Sequence, residues 1–318
     1  MAGRVFISCG QRPPDEKRIA EEIAKILKDE FDLTPYLAFK IQSLNDIMTI
    51  TKELRKSDYY LFVDFFRKSK NPLFNLLKRT KNPQDLPCSL FTHQELALAH
   101  HLGFENIIAL QQRGTPLEGF LRYVLSNPEP FDDEKDLLHK VRRLVKDRSW
   151  TKDYSRNLVI EEIGFTDVPW HYADHTGQSY DLVWQLNVEN RRPDVAAVGT
   201  VCILNYIMSC GNRIDSPDRA YLKWARQAGY DRTIIPKDFG VVDLFALRDN
   251  QPGIFLHSLR DAVPREPVLL NDGDYELFFM LFSQGFPLLE FSVDLKLRWT
   301  PAGLGKQAQR STAKLVKP

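Results

Sequence analysis

Apolar residues in the first 131 positions alternate between short continuous runs and stretches with helical spacing. The run RVFISC (4–9) has the length of a strand. In the segment 15–31 that follows it, apolar residues recur four positions apart, at Ile19, Ile23, Leu27 and Phe31. Side chains four apart share one face of a helix, so this pattern predicts a strand followed by an amphipathic helix.

The same alternation continues along the N-terminal part of the chain. We predict strands at 33–39, 58–66 and 106–112, and helices at 43–57 and 92–103. The run 58–66 is apolar on both faces, as interior strands of parallel sheets are. The order of elements predicts an α/β, flavodoxin-like parallel-sheet domain over residues 1–131. Ligands are expected at the carboxyl ends of its strands.

The rest of the chain has a different pattern. Residues 132–155 contain a charged amphipathic helix and are predicted to connect two domains. From 156 to 300 apolar and polar residues alternate with period two, most clearly in FSVDLKLRW (291–299). This pattern predicts an all-β sandwich of immunoglobulin-like type. The segment 301–318 is basic and poor in apolar residues, and it is predicted to be disordered or to become ordered on a partner.

Composition narrows the classes of function. A chain of 318 residues with 43% hydrophobic residues is long enough for two ordinary domains. Its net charge of +1 gives no overall electrostatic field that would attract nucleic acid. The four cysteines form no CxxC pair, so we expect a reduced, cytoplasmic protein without a metal site. No apolar run approaches the roughly 20 residues of a membrane helix, and no membrane association is expected.

Several ordered motifs in residues 1–131 resemble the Toll/interleukin-1 receptor (TIR) domain. The chain opens with VFIS at 5–8, and the pair Ser57-Asp58 precedes the third predicted strand. The pattern S-x-W-x-x-x-E-L of TIR domains is matched by Ser89, Phe91, Glu95 and Leu96. Phe91 stands where the family has tryptophan, and the segment between the third strand and Glu95 is longer than is typical.

The resemblance implies an enzyme that breaks the bond between nicotinamide and ribose in NAD, with Glu95 as the catalytic glutamate. NAD is then a substrate, and no cofactor is implied. Cleavage leaves an oxocarbenium-like ribose, which a carboxylate stabilises or traps covalently. Nicotinamide departs as a neutral group, so one acid suffices. The resemblance also implies a prokaryotic defence effector, in which the sandwich acts as a sensor or oligomerisation module for an unknown trigger.

Other candidate substrate-binding residues follow from the rule that ligands bind at strand ends. Ser8, Cys9 and Gly10 end the first predicted strand, where backbone amides can approach ribose or phosphate. Arg12 is a candidate partner for a phosphate, and Phe91 for stacking on a ring.

The loop after the second predicted strand is a further candidate. By the TIR resemblance, the loop from Phe39 to Ser43 contacts substrate or a neighbouring copy of the domain, so self-association is expected.

Plainer interpretations stay open for each feature. Glu95 can be a helix-terminal acid, Cys9 an apolar filler, and His93, His100 and His101 surface residues. The basic insert 67–81 can be a solvated loop or a binding segment for an anionic partner. Two rival functions are a non-catalytic TIR adaptor and a nucleoside deoxyribosyltransferase-like enzyme.

Overall fold

The computed structural model divides the chain into two compact units, Met1–Arg156 and Asn157–Pro318. It describes residues 3–10, 14–37, 44–66, 90–115, 128–170, 179–225, 229–248, 252–256, 268–269, 271–298 and 311–316.

The first unit is an α/β domain built on one parallel sheet. Its described elements are β1 (Arg4–Cys9), α1 (Pro14–Phe31), β2 (Thr34–Leu37), α2 (Leu44–Arg55), β3 (Tyr59–Asp64), α3 (Leu90–His101), β4 (Ile107–Gln112), β5 (Glu129–Phe131) and α4 (Glu134–Asp147). The strands lie in the order β2-β1-β3-β4-β5, and every pair is parallel. This is the strand order of flavodoxin-like sheets, and the predicted α/β class is confirmed.

Strand periodicity sorts the side chains of β1 onto two faces. Val5, Ile7 and Cys9 join a core that also contains residues of α1 and α4. Phe6 joins the other core, together with Tyr60 and residues of α3. Since side chains two apart share a face, Ser8 lies on the α3 side of the sheet and Cys9 on the α1 side.

The helix α4 belongs to the core of the first unit. Leu137, Val141 and Val145 are fully buried in the same cluster as the inner residues of α1. Asp133 caps the helix, since its side chain accepts a hydrogen bond of 2.8 Å from the amide of Asp136. The segment 132–155, predicted as a connection, is therefore packed within the α/β unit.

Asp58 ties the two ends of the first unit together. Its buried carboxylate accepts hydrogen bonds from the amide of Arg4 at 3.0 Å, the amide of Arg156 at 3.0 Å and the hydroxyl of Ser155 at 2.9 Å. The neighbouring Ser57 hydroxyl donates to the carbonyl of Glu53 at 2.8 Å. The Ser57-Asp58 pair thus has a structural role in this fold.

The second unit consists of antiparallel sheets. Its strands are β6 (Val159–Trp170), β7 (Ser179–Glu189), β8 (Ala197–Ser209), β9 (Asn212–Tyr221), β10 (Arg232–Ile234), β11 (Phe239–Arg248), β12 (Gly273–Gln284), β13 (Leu289–Leu297) and β14 (Thr312–Val316). One sheet has the order β10-β8-β12-β13-β14 with β9 also paired to β8, and the other has the order β11-β7-β6. One core contains residues from both sheets. The antiparallel class is confirmed, and the immunoglobulin-like topology stays a prediction.

Alternation in β13 follows the sequence closely. Phe291, Val293, Leu295 and Leu297 are all buried in the core of the second unit. Trp184 and Trp224 are buried in the same core.

The C-terminal segment was predicted to be disordered, and this is wrong for residues 312–316. They form β14, which pairs with β13 in antiparallel register. Ala313 and Leu315 pack against the core, while Thr312, Lys314 and Val316 are exposed. A free strand edge on β13 supplies the backbone partners that the composition of the segment does not reveal.

Candidate functional site

Glu95 lies in the second turn of α3, on the side that packs against β1 and β3. The helix begins at Leu90, two residues before its predicted start, and Thr92 is a buried residue within the helix. Only 8% of Glu95 is exposed to solvent. Glu95 is therefore not a solvated acid at the helix terminus.

The buried carboxylate of Glu95 has a specific partner at the end of β1. The hydroxyl of Ser8 donates a hydrogen bond to Glu95 Oε2, and both side chains are buried. Ser8 and Glu95 lie 87 positions apart in the sequence. The carboxyl end of β1 and the helix α3 thus bring together two residues that the sequence predicted as parts of one site.

Burial changes the acidity of this carboxyl group. It raises the pKa of Glu95 from 4.5 to about 7, and the hydrogen bond from Ser8 acts in the opposite direction. Near neutral pH the group therefore exchanges readily between its acid and its base form. A buried carboxyl with this property beside the carboxyl end of a strand is typical of a functional site.

Tyr60 is a further member of the site, which sequence reasoning missed. It is fully buried on β3, and its pKa is raised by burial and by the negative charge of Glu95. Its hydroxyl lies near Ser8, but within the described residues it makes no hydrogen bond of good geometry. The only signal in the sequence was a hydroxyl inside an otherwise apolar strand.

A second polar cluster lies on the same face of the sheet. Only 1% of Asp64, the last residue of β3, is exposed, and its Oδ2 is 3.6 Å from Nε2 of His93. Gln111 of β4 lies beside Asp64 in the sheet and donates to the same oxygen at 3.3 Å. The imidazole of His93 also contacts the ring of Phe62 edge-on, with centroids 5.6 Å apart.

The prediction that His93 is a surface residue was wrong. Only 8% of it is exposed, whereas His100 and His101 on the same helix are exposed as predicted. Asp64 and Gln111 were not predicted as site residues. Both are polar residues at the end of apolar strands, and that is the signal that would have identified them.

The other candidate residues divide into two groups. Cys9 is buried on the opposite face from Glu95, and its thiol lies 3.9 Å from the carbonyl oxygen of Glu16, so the apolar-filler interpretation fits its side chain. Gly10 is buried directly after β1. Arg12, Phe39 and Ser43 lie outside the described residues, as do the basic insert 67–81 and the side chain of Phe91. Their roles stay predictions.

Two kinds of feature are absent from the described part of the chain. No group of three or more His, Cys, Asp or Glu side chains there is arranged to hold a metal ion. No helix among these residues has both the length and the apolar character needed to cross a membrane.

Comparison with known proteins gives no family. No family model matches the chain, and no curated protein matches it. A CMP N-glycosidase, BcmB, from Clostridium botulinum is similar at 20% identity and a TM-score of 0.31, over 44% of this chain and 98% of that one. A β-glucosidase from Kluyveromyces marxianus is similar at 10% identity and a TM-score of 0.22, over 80% of this chain and 34% of that one. Scores of this size do not establish a shared fold.

Proposed function

We propose that the first unit cleaves the N-glycosidic bond of a ribosyl nucleotide, with Glu95 as the carboxylate beside the anomeric carbon. The observation that supports this most directly is the hydrogen bond between Ser8 and the buried Glu95 at the carboxyl end of β1. This is the edge at which open parallel sheets bind ligands. Burial of a carboxylate lowers the stability of the fold unless hydrogen bonds or ion pairs compensate it, and such a position is therefore a candidate for a functional group.

The chemistry follows from the charge that develops on the sugar. As the C1′–N bond breaks, positive charge accumulates on C1′ and the ring oxygen. The carboxylate of Glu95 stabilises this charge, or forms an ester with C1′ that water then hydrolyses. Ser8 holds one carboxylate oxygen in place, which leaves the other oxygen for the sugar. Burial strengthens the electrostatic effect, because little water screens it.

NAD is the first substrate to test, and this choice depends on the TIR resemblance. Its nicotinamide leaves as a neutral molecule, so a single carboxylate can support the reaction. The product is ADP-ribose, or a cyclised form of it if a group of the nucleotide attacks C1′ instead of water. Both outcomes use the same carboxylate.

The wider role is also carried over from the resemblance. A TIR-like enzyme of this kind is a defence effector that consumes NAD after a trigger assembles it. The second unit then serves as the sensor or oligomerisation module. We therefore expect activity to rise with protein concentration.

The test incubates the purified full chain with NAD, and separately with deoxynucleosides, at several protein concentrations. Nicotinamide release supports the proposed function, whereas base exchange between deoxynucleosides supports a deoxyribosyltransferase-like enzyme. Glu95→Gln is expected to abolish turnover, and the control Glu105→Gln, at an exposed glutamate near the end of the same helix, is expected to keep it. If neither substrate reacts at any concentration, the non-catalytic adaptor is the better description.

A further inference from the structure

A cleft lies on the outer face of the larger sheet of the second unit, away from the site described so far. Its volume is about 290 Å³, and Phe278, Glu290, Ser292 and Val316 are among its lining residues. Side chains that point to the other side of these strands, such as that of Leu277, are buried in the core. The cleft therefore opens on the face of the sheet that is turned away from the core.

The register of the sheet places the lining residues in one row across neighbouring strands. Phe278 of β12 lies opposite Ser292 of β13, and Ser292 lies opposite Val316 of β14. Neighbouring strands are ~4.8 Å apart, so the Cα atoms of Phe278 and Val316 are about 10 Å apart, with only the small side chain of Ser292 between them. A planar group that contacts a wall on each side needs roughly 7 Å, which is twice a van der Waals contact of ~3.5 Å. The slot over Ser292 therefore has the width of one planar group.

One wall of this slot is an aromatic face. Phe278 lies opposite Tyr206 of β8, their ring centroids are 4.3 Å apart, and the ring planes are inclined by 17°. The separation of the rings is close to the spacing of the two strands, so the rings stack across the sheet. The second face of Phe278 is then turned toward Ser292 and the slot. Aromatic faces attract cations and planar groups.

The other end of this aromatic pair shows which group such a face can hold. Arg213 of β9, on the opposite side of β8 from β12, lies over the ring of Tyr206, with Cζ 4.3 Å from the ring centroid. Its Nε donates a hydrogen bond of 2.8 Å to Asp215. A guanidinium is thus held between an aromatic face and a carboxylate, an arrangement that suits its planar shape and its many donors.

The slot repeats this arrangement with a carboxylate at each end. Glu290 lines one end. At the other end, Glu276 accepts a hydrogen bond of 2.7 Å from the hydroxyl of Ser292. Within the part of the chain that the structure describes, neither glutamate forms an ion pair with a basic side chain. In the same row as Glu276, Asp294 and Lys314 carry opposite charges, so the charge around the slot is negative.

We propose that this slot binds the guanidinium of an arginine side chain from a protein partner. The planar group stacks on Phe278, contacts Val316 and donates hydrogen bonds to the two glutamates. A volume of about 290 Å³ lies just below the range of small-molecule pockets, about 300–1,000 Å³, so it suits one side chain better than a whole metabolite. Arginine is also one of the residues that most often anchor protein interfaces. The inference concerns the second unit and does not depend on the proposed glycosidase activity.

The test titrates the full-length protein with N-acetyl-arginine amide and follows the methionine methyl groups by NMR. The sequence contains four methionines, of which Met280 lines the cleft and the exposed Met48 lies in the first unit. We expect the methyl signal of Met280 to shift with a dissociation constant of roughly 1 mM, while that of Met48 stays in place. N-acetyl-lysine amide has the charge without the planar group, and it is expected to bind about tenfold more weakly.

Two variants test the slot itself. Glu290→Gln removes the exposed carboxylate and is expected to weaken binding of the arginine amide about tenfold. Ser292→Val fills the floor of the slot with apolar atoms while every charge is kept, and it is expected to abolish the shift of Met280. Glu162→Gln, at an exposed glutamate of the other sheet, is the control and should bind as the wild type does.

The remaining outcomes overturn the inference. They are an unmoved Met280 signal, equal affinity for the arginine and lysine amides, equal shifts at Met280 and Met48, or binding that neither variant weakens. Tighter binding of agmatine, which carries the guanidinium without a peptide backbone, would assign the slot to a small metabolite instead of a protein. A Met280 signal that moves with protein concentration alone would show that a second copy of the chain occupies this face, which contradicts a separate partner.

Discussion

Ser8, near the end of β1, donates a hydrogen bond to Glu95 of α3, which lies 87 positions later in the sequence. This bond opposes the effect of burial on the acidity of Glu95. The two residues come from β1, an interior strand of the sheet, and from α3, which packs against β1 and β3. The bond therefore couples the geometry of the fold to the charge of the candidate catalytic group.

Removing the hydroxyl of Ser8 should make Glu95 a weaker acid. In Ser8→Ala the hydrogen bond that lowers the pKa of Glu95 is lost, so the group ionises at higher pH. A hydrogen bond to a charged group corresponds to about one pH unit or more. We expect the acid limb of the pH profile of kcat/KM to shift upward by about that amount. Cys9→Ala, on the other face of the sheet, is the control, and a limb that does not move would contradict the assignment.

Glu95 should make the folded protein less stable as pH rises. Its pKa is about 7 in the folded state and 4.5 for an ordinary glutamate, so the folded state binds more protons between these values. Stability is therefore full below pH 4.5 and is lost as pH rises through 7, by about 3 kcal/mol in total. Glu95→Gln, which does not ionise, should be more stable than the wild type at pH 8 and similar at pH 4. Hydrogen exchange of β1 and β3 measures this difference, and a constant gap across pH would refute it.

The sequence predicts β1, β3 and β4 well because almost all of their residues are buried, on both faces of the sheet. In β3 all six residues are buried, which is what an uninterrupted apolar run requires. The pairing of Ser8 with Glu95 was also within reach, since both were placed at strand ends or beside them.

The sequence does not predict where α3 begins, and this one difference changes the site. A helix from Leu90 instead of Thr92 places His93 inside the first turns and against Phe62. The spacing of His93 from Glu95 did not indicate that His93 is buried, since residues two apart do not share a helix face. Both are buried because they contact different parts of β3 and β1.

Several strands of the second unit were not predicted for a different reason. The sequence of β9, NRIDSPDRAY, is polar and contains proline, and β14 is short and basic. β9 pairs with β8, and β14 pairs with β13. Strand formation at such positions depends on the neighbouring backbone more than on intrinsic propensity.

Tyr59 and Tyr60 should respond in opposite ways to loss of the hydroxyl. Tyr59 exchanges two hydrogen bonds of 2.9 Å with the backbone of Thr151, whereas within the described residues the hydroxyl of Tyr60 makes none of good geometry. We expect Tyr59→Phe to lower the free energy of unfolding by about 1–3 kcal/mol and Tyr60→Phe to leave it unchanged or raise it by about 1 kcal/mol. Denaturant unfolding of both variants checks this. Equal losses would mean that Tyr60 has a partner of similar strength.

Asp58 should be one of the most sensitive positions of the first unit. Asp58→Ala leaves the amides of Arg4 and Arg156 and the hydroxyl of Ser155 without their common acceptor in a buried place. We expect a loss of about 2–4 kcal/mol in the free energy of unfolding. Asp153→Ala, at an exposed aspartate nearby, should change it by less than about 0.5 kcal/mol. If the two variants are equally stable, Asp58 does not hold the ends of the unit together.

The packing of the second unit can be tested at Gly240, with a second glycine as the control. A Cβ at this residue of β11 would lie 2.6 Å from Cζ3 of Trp224 and 3.1 Å from Cδ of Arg232. Trp224 cannot move away easily, because it is fully buried and its indole donates to the carbonyl of Thr200 at 3.1 Å.

Gly240→Ala should therefore cost about 1–3 kcal/mol, as overpacking of a core does. The near-ultraviolet circular dichroism of the tryptophans should change with it, because the Trp224 ring has to shift. Gly164 on β6 is the matched control, since a Cβ there meets no atom within 4 Å. Gly164→Ala is expected to be neutral or slightly stabilising, because alanine loses less backbone entropy on folding than glycine. Similar losses in both variants would show that the β-strand backbone, and not contact with Trp224, requires the glycine.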